Sequence, residues 1–184
     1  MDLSQKNINK SSLSRSGDSG KTLLLVRHAK SSWDISNLTD FERPLNDRGK
    51  KDAPAMARRL INKKINIDAF VSSPAKRAKK TAELFNKEYG KNEEEIIFIT
   101  RLYHASPETF FEVIAGLNDS LNTVAVFSHN MGITEFANLL TDIRIDNMPT
   151  CSVFAVKINS TKWGDFKNAK RDFLFFDYPK MNTE

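Results

Sequence analysis

Two histidines and two arginines stand where a fold could bring them together. Arg27-His28 closes Leu23–Arg27, a short unbroken apolar run, and Ser128-His129-Asn130 closes a second such run at Val124–Phe127. A third segment, Ser72-Ser73-Pro74-Ala75-Lys76-Arg77, follows the apolar stretch Ala69–Ser72 and puts Arg77 in the first turn of a helical pattern. In open α/β sheets ligands bind beyond the carboxyl ends of the strands. Helix N-termini add free N–H groups and the positive end of the macrodipole. Arg27, His28, Arg77 and His129 would then form a compact cationic pocket of phosphate size. Arginine suits such a pocket because its planar fork gives bidentate hydrogen bonds to phosphoryl oxygens.

These residues need a scaffold, and the hydrophobic pattern supplies one. Leu23–Arg27 reads as a strand buried on both faces, because its apolar run does not alternate. Ala69–Ser72, Ile96–Thr100, Val124–Ser128, Ser152–Ile158 and Phe173–Phe176 read as further strands. Between them, Asn46–Lys64 carries a helical apolar stripe of Ala53, Met56, Ala57, Leu60 and Ile61, in which Pro54 predicts a kink. The pattern at 74–90 predicts a helix with Ser73 as N-cap and Pro74 in its first turn. Ser106-Pro107-Glu108 repeats that start signal ahead of Phe110, Val113, Ile114 and Leu117, and a fourth helix covers Met131–Leu140. Strands alternating with helices predict an α/β fold, a three-layer sandwich on a mostly parallel central sheet.

Composition narrows the classes. The 184 residues suit one domain, and no run approaches the roughly 20 apolar residues of a membrane helix. The N-terminus lacks the apolar stretch of a secretory signal. A single cysteine, Cys151, allows no internal disulfide, so a cytoplasmic setting is expected. Residues 1–20, with six serines and three basic residues, are expected to form a disordered tail ahead of a domain at 21–184. The tail ends in Gly17-Asp18-Ser19-Gly20-Lys21-Thr22, but Arg15 stands where a phosphate-binding P-loop needs glycine, and the strand follows the loop instead of preceding it. Three histidines without ligand spacing argue against a metal. The net charge of +5 favours an anionic partner. The thirteen phenylalanines do not interleave with basic residues, so no nucleic acid is expected as partner, and the lack of a long apolar run leaves no membrane expected either.

The motifs also resemble those of a known family. Leu25-Val26-Arg27-His28-Ala29-Lys30-Ser31-Ser32-Trp33 resembles the Arg-His-Gly motif that opens the histidine phosphatase (phosphoglycerate mutase-like) superfamily. Arg43-Pro44-Leu45-Asn46-Asp47-Arg48-Gly49 resembles its segment leading into the first helix. Ser72–Arg77, continuing to Thr81, is similar to its second-arginine motif, and Phe127-Ser128-His129-Asn130 to its second-histidine motif. The four stand in order across about residues 22–158. Ala29-Lys30-Ser31, Arg43-Pro44-Leu45 and Tyr103-His104-Ala105 resemble the SixA-type phosphohistidine phosphatases in particular. The resemblance implies a phosphoglycerate mutase-like fold and a two-step phosphatase without a cofactor. His28 would attack phosphorus as a neutral imidazole, and Arg27, Arg77 and His129 would bind the phosphoryl oxygens. The implied partner is a histidine-phosphorylated protein, or else a small phosphorylated substrate such as a sugar phosphate or nucleotide. A module that binds phosphohistidine without turnover stays open as a third reading. A monomer or weak dimer is expected.

The general acid is where the pattern departs. Ester-cleaving relatives carry a carboxylate after the third strand, and here Arg101–Glu108 offers only Glu108, which reads equally well as an ordinary first-turn residue. A missing acid would hurt ester hydrolysis more than hydrolysis of phosphohistidine, whose imidazole can leave neutral. Ser31 is a further candidate for substrate binding. Arg43, Asn46, Arg48 and Ser32 either rim the pocket or start the helix. Asp34 would repel phosphate and His104 reads as an exposed loop residue. Lys76, Lys79 and Lys80 read first as a solvated helix face and second as a docking patch.

Overall fold

A computed structural model describes residues 20–33 and 37–181 of the chain. The expected tail, apart from Gly20, and Asp34 both lie outside the described residues. The strands are β1 (Lys21–Arg27), β2 (Ala69–Ser72), β3 (Ile97–Phe98), β4 (Thr123–Ser128), β5 (Val153–Ile158) and β6 (Arg171–Asp177). The helices are α1 (Asp47–Asn62), α2 (Lys76–Glu88), α3 (Pro107–Ala115) and α4 (Gly132–Leu140).

One six-stranded sheet runs in the order β3-β2-β4-β1-β5-β6. The pairs β1–β4, β2–β4 and β2–β3 are parallel, while β5 is antiparallel to both of its neighbours. The unalternating strands are explained by the two cores. Leu23, Leu25, Val124 and Val126 pack with Phe110, Ile133 and Phe136 of α3 and α4 on one face. Leu24, Val26, Phe70 and Phe127 pack with Met56, Leu60 and Phe85 of α1 and α2 on the other. Both faces are therefore apolar, which gives the expected three-layer α/β sandwich. Residues Leu23–Val26 have no exposed surface. Each such side chain contributes about 1.5–3 kcal/mol of burial, which anchors the strand end that carries Arg27 and His28.

Three local details differ from the pattern-based reading. Pairing in β3 is limited to Ile97–Phe98, because the chain turns at once into a 3-10 segment at Thr100–Leu102. Helix α2 begins at Lys76, and Ser73 does not cap it. The Ser73 hydroxyl instead meets His129 Nε2 at 2.8 Å. Helix α1 continues through Pro54 for sixteen residues, its buried face of Ala53, Met56, Ala57 and Leu60 holding it against the sheet. Among the described residues, no helix is long and apolar enough to cross a membrane.

Candidate active site

The strand order sets the geometry. Because β2, β4 and β1 are adjacent and parallel, the segments leaving their carboxyl ends emerge side by side. Arg27 is in register with Ser128, and Ser72 with Phe127. The His28 amide donates to Ser128 O at 3.0 Å, and the Ser73 amide donates to Phe127 O at 3.0 Å. His28 and His129 consequently lie with ring centroids 5.2 Å apart, both nearly buried.

The His28 ring is held from both sides in a way that assigns its proton. Arg77 Nε, which can only donate, reaches His28 Nε2 at 3.2 Å. On the other side His28 Nδ1 lies 2.8 Å from Ala29 O, which can only accept. Nδ1 therefore carries the hydrogen, and Nε2 presents its lone pair. Burial drives the pKa of His28 from the ordinary 6.5 down to about 3; the Ala29 hydrogen bond opposes this, and the charges of Arg77, Arg27 and Arg43 reinforce it. The imidazole is neutral near pH 7.

Thr81 completes the arrangement. Its hydroxyl donates to Arg77 O at 2.7 Å and accepts from the Ala29 amide at 3.0 Å. The chain of bonds Arg77–Thr81–Ala29–His28–Arg77 is closed, tying the end of β1 to the first two turns of α2. On the other side of β1, the Cys151 amide donates to Arg27 O and His28 O, both at 3.1 Å.

The other expected residues are less uniform. Arg27 Nη1 donates to Met148 O at 2.5 Å and to Asn147 Oδ1 at 3.4 Å, while its Nε is buried without a partner. His129 holds Ser73 through Nε2 and has a buried, unpartnered Nδ1. Burial first, then the neighbouring His28, Arg77 and His104, takes the pKa of His129 down to about 2, despite the opposing charge of Asp40. Ser31 is buried, and its hydroxyl accepts from Arg43 Nη2 at 2.6 Å, so it stands behind that arginine. Glu108 is an exposed first-turn residue of α3, and among the described residues no hydrogen bond or ion pair joins it to the four central side chains. Asn46 caps α1 by accepting from the Gly49 amide at 2.9 Å, and Arg48 pairs with Asp52 at 3.2 Å on the helix surface. Lys79 and Lys80 both face Glu83, as a solvated helix side does. Among the described residues no His, Cys, Asp and Glu cluster could hold a metal ion.

Three residues outside the expected set belong to the pocket. Asp40 sits at the start of a 3-10 turn, Asp40–Glu42, and its carboxylate accepts from Arg77 Nη2, Arg43 Nη1 and the Tyr103 hydroxyl, each at 2.8 Å. Its backbone carbonyl takes the other terminal nitrogen of Arg77. His104 Nε2 lies 3.5 Å from the same carboxylate, on a backbone with φ of 52°. Burial pushes the Asp40 pKa up, but the hydrogen bonds from Tyr103 and Arg77, with the charge of Arg77 and the bond from Arg43, outweigh it and hold the carboxyl well below its usual range. At the rim, the Arg43 guanidinium stacks 3.2 Å over the exposed Trp33 ring.

Comparison with known proteins agrees with this picture. The model of the histidine phosphatase superfamily (branch 1) matches residues 23–103, which bears out the resemblance read from the motifs. A chloroplast protein of Arabidopsis thaliana is 28% identical over 151 residues, covering 78% of this chain and 69% of that one. The 2,3-bisphosphoglycerate-dependent phosphoglycerate mutase of Bartonella tribocorum is 34% identical over 80 residues, covering 42% of this chain and 39% of the mutase. The structure of the protein histidine phosphatase SixA complexed with tungstate superimposes with a TM-score of 0.72 at 20% identity, over 86% of this chain and 97% of that one. At that identity the likeness establishes the shared fold.

Proposed function

We propose that this chain is a working histidine phosphatase, with residues 21–184 as its catalytic domain, and that it removes phosphate from phosphohistidine in a partner protein. The observation that carries the reading is the closed bond chain around His28, which presents the Nε2 lone pair of a neutral imidazole beside the Arg77 guanidinium. In the first step the Arg77 Nε–H turns from Nε2 to a phosphoryl oxygen and Nε2 bonds to phosphorus, while the P–N bond of the substrate breaks and its electron pair leaves on the substrate imidazole. Protonation at that ring's remote nitrogen lets it leave neutral. His28 then carries phosphate on Nε2 and hydrogen on Nδ1, and Ala29 O accepts from that hydrogen throughout.

Arg77, Arg27 and His129 would hold the phosphoryl oxygens as charge redistributes. The unpartnered Arg27 Nε is a donor that such an oxyanion would satisfy, as is His129 Nδ1 in the tautomer whose Nε2 accepts from the Ser73 hydroxyl. In the second step water attacks phosphorus, the N–P bond breaks, and Nε2 recovers its electron pair. The water proton stays with the released phosphate.

Two features favour a P–N over a P–O substrate. Glu108 is exposed and, among the described residues, bonded to none of the four central side chains, and the Asp40 carboxylate is held ionised by its donors. Neither supplies the proton that an alkoxide leaving group needs. That the SixA structure holds tungstate, an oxyanion, supports an anion pocket on this fold. The test is phosphate release from a histidine-phosphorylated carrier protein and from p-nitrophenyl phosphate, with His28→Ala as control. The reading expects a preference for the carrier that disappears in the variant. Preference for the ester would move the assignment to small-molecule phosphomonoesterases, and turnover of neither would leave a binding module.

A further inference from the structure

The pocket already contains an anion, and the chain provides it. The Asp40 carboxylate takes one terminal nitrogen of Arg77, its carbonyl takes the other, Arg43 and Tyr103 also donate to the carboxylate, and His104 Nε2 lies 3.5 Å from it. These are the donors a phosphoryl group on His28 Nε2 would recruit, since Arg77 joins Nε2 and Asp40 through a single guanidinium. We propose that Asp40 is a specificity-determining residue, an internal competitor that occupies the phosphoryl subsite and must be displaced by the substrate. The proposal rests on the phosphatase reading for its substrate but not for the anion site itself.

The asymmetry of the pair identifies which member moves. The Arg77 side chain is 5% exposed and fixed to His28, whereas that of Asp40 is 42% exposed. No residue of the turn Asp40–Glu42 is buried, so rotation of the carboxylate into water disrupts no packing. A phosphoryl dianion brings two negative charges to these donors where the carboxylate brings one, and so competes for them. Free phosphate and small esters meet this competition in full. A phosphoryl group on a protein surface brings contacts outside the subsite that offset it. After hydrolysis the carboxylate returns to the arginines and displaces the product.

Calorimetric titration with inorganic phosphate and with tungstate, on the full chain and on Asp40→Asn and Asp40→Ala, tests this, alongside phosphate inhibition of carrier turnover. Removing one negative charge within contact range of the arginines is expected to tighten both oxyanions by roughly tenfold or more, deepen product inhibition correspondingly, and narrow the preference for carrier over p-nitrophenyl phosphate. Unchanged or weaker oxyanion binding in both variants would overturn the proposal and make Asp40 a residue that merely orients the arginines. Failure of every form to bind an oxyanion would overturn it as well. If the wild-type chain turns over neither substrate while the variants still bind phosphate more tightly, the phosphatase reading fails and the competitor stands.

Discussion

Replacing Thr81 with valine isolates the element that positions the nucleophile. Valine matches threonine in shape, so the fully buried site keeps its packing and loses only the hydroxyl. The Ala29 amide then has no acceptor at a residue with no exposed surface. An unsatisfied buried donor costs about 1–3 kcal/mol. For a chain of this length that lowers the melting temperature by roughly 2–12 °C, at about 2–4 °C per kcal/mol. The catalytic effect should exceed what stability alone implies, because the freed residue also carries, in its following peptide unit, the carbonyl that orients Nδ1 of His28. A misplacement near 1 Å costs up to about 100-fold in rate, so kcat on a phosphorylated carrier should fall by about 10- to 100-fold with KM nearly unchanged. Thr81→Ser separates the two effects. It restores the hydroxyl but removes a buried methyl, costing about 0.5–1.5 kcal/mol, and should keep most of kcat. Steady-state kinetics with thermal melts on both variants read this out. A valine variant destabilised as expected but with kcat within about twofold of wild type would refute the positioning argument.

Further outcomes follow from the same geometry. Both buried histidines have folded pKa values below the unfolded 6.5, about 3 for His28 and about 2 for His129. The unfolded chain therefore protonates first, and stability is full above pH 6.5 and falls as pH drops through that value towards 3. Each histidine contributes a slope of up to about 1.4 kcal/mol per pH unit, and urea unfolding at pH 7 and 5 should show a shallower fall in His129→Asn. Gly49→Ala would place a Cβ 2.2 Å from Lys30 O. Overpacking of that kind costs about 1–3 kcal/mol, and the displaced Ala29–Ser31 segment should lower kcat along with the melting temperature. Arg59→Ala removes the partner at 3.0 Å from the buried Asp177 carboxylate, which should cost about 3–5 kcal/mol in denaturant unfolding with kcat preserved at low temperature.

What could be read in advance was whatever depends on pattern along the chain. The apolar runs before Arg27 and Ser128 located β1 and β4, and parallel strand ends then placed His28 beside His129. The remainder depends on side-chain direction and on backbone atoms. Ser73 looks like an N-cap beside Pro74, but its hydroxyl is taken by His129 and α2 starts three residues later. The acceptor for His28 Nδ1 is a main-chain carbonyl, Ala29 O, which residue type does not reveal. Asp40 lies 37 residues from Arg77 and 63 from Tyr103, and only the folded chain brings it to them. A conspicuous aspartate two residues ahead of Glu42-Arg43-Pro44 was the available signal. Glu108 was the carboxylate that the family resemblance offered, yet it faces solvent at the start of α3.

The central claim is that His28 attacks through Nε2. Rapid quenching of the chain with a carrier labelled by radioactive phosphate, followed by mass spectrometric mapping, tests it directly. The account predicts a transient, acid-labile phosphoenzyme on His28, as the Nε2-linked isomer, absent from His28→Ala. Carrier turnover with no label on His28, or label on Nδ1, would contradict it.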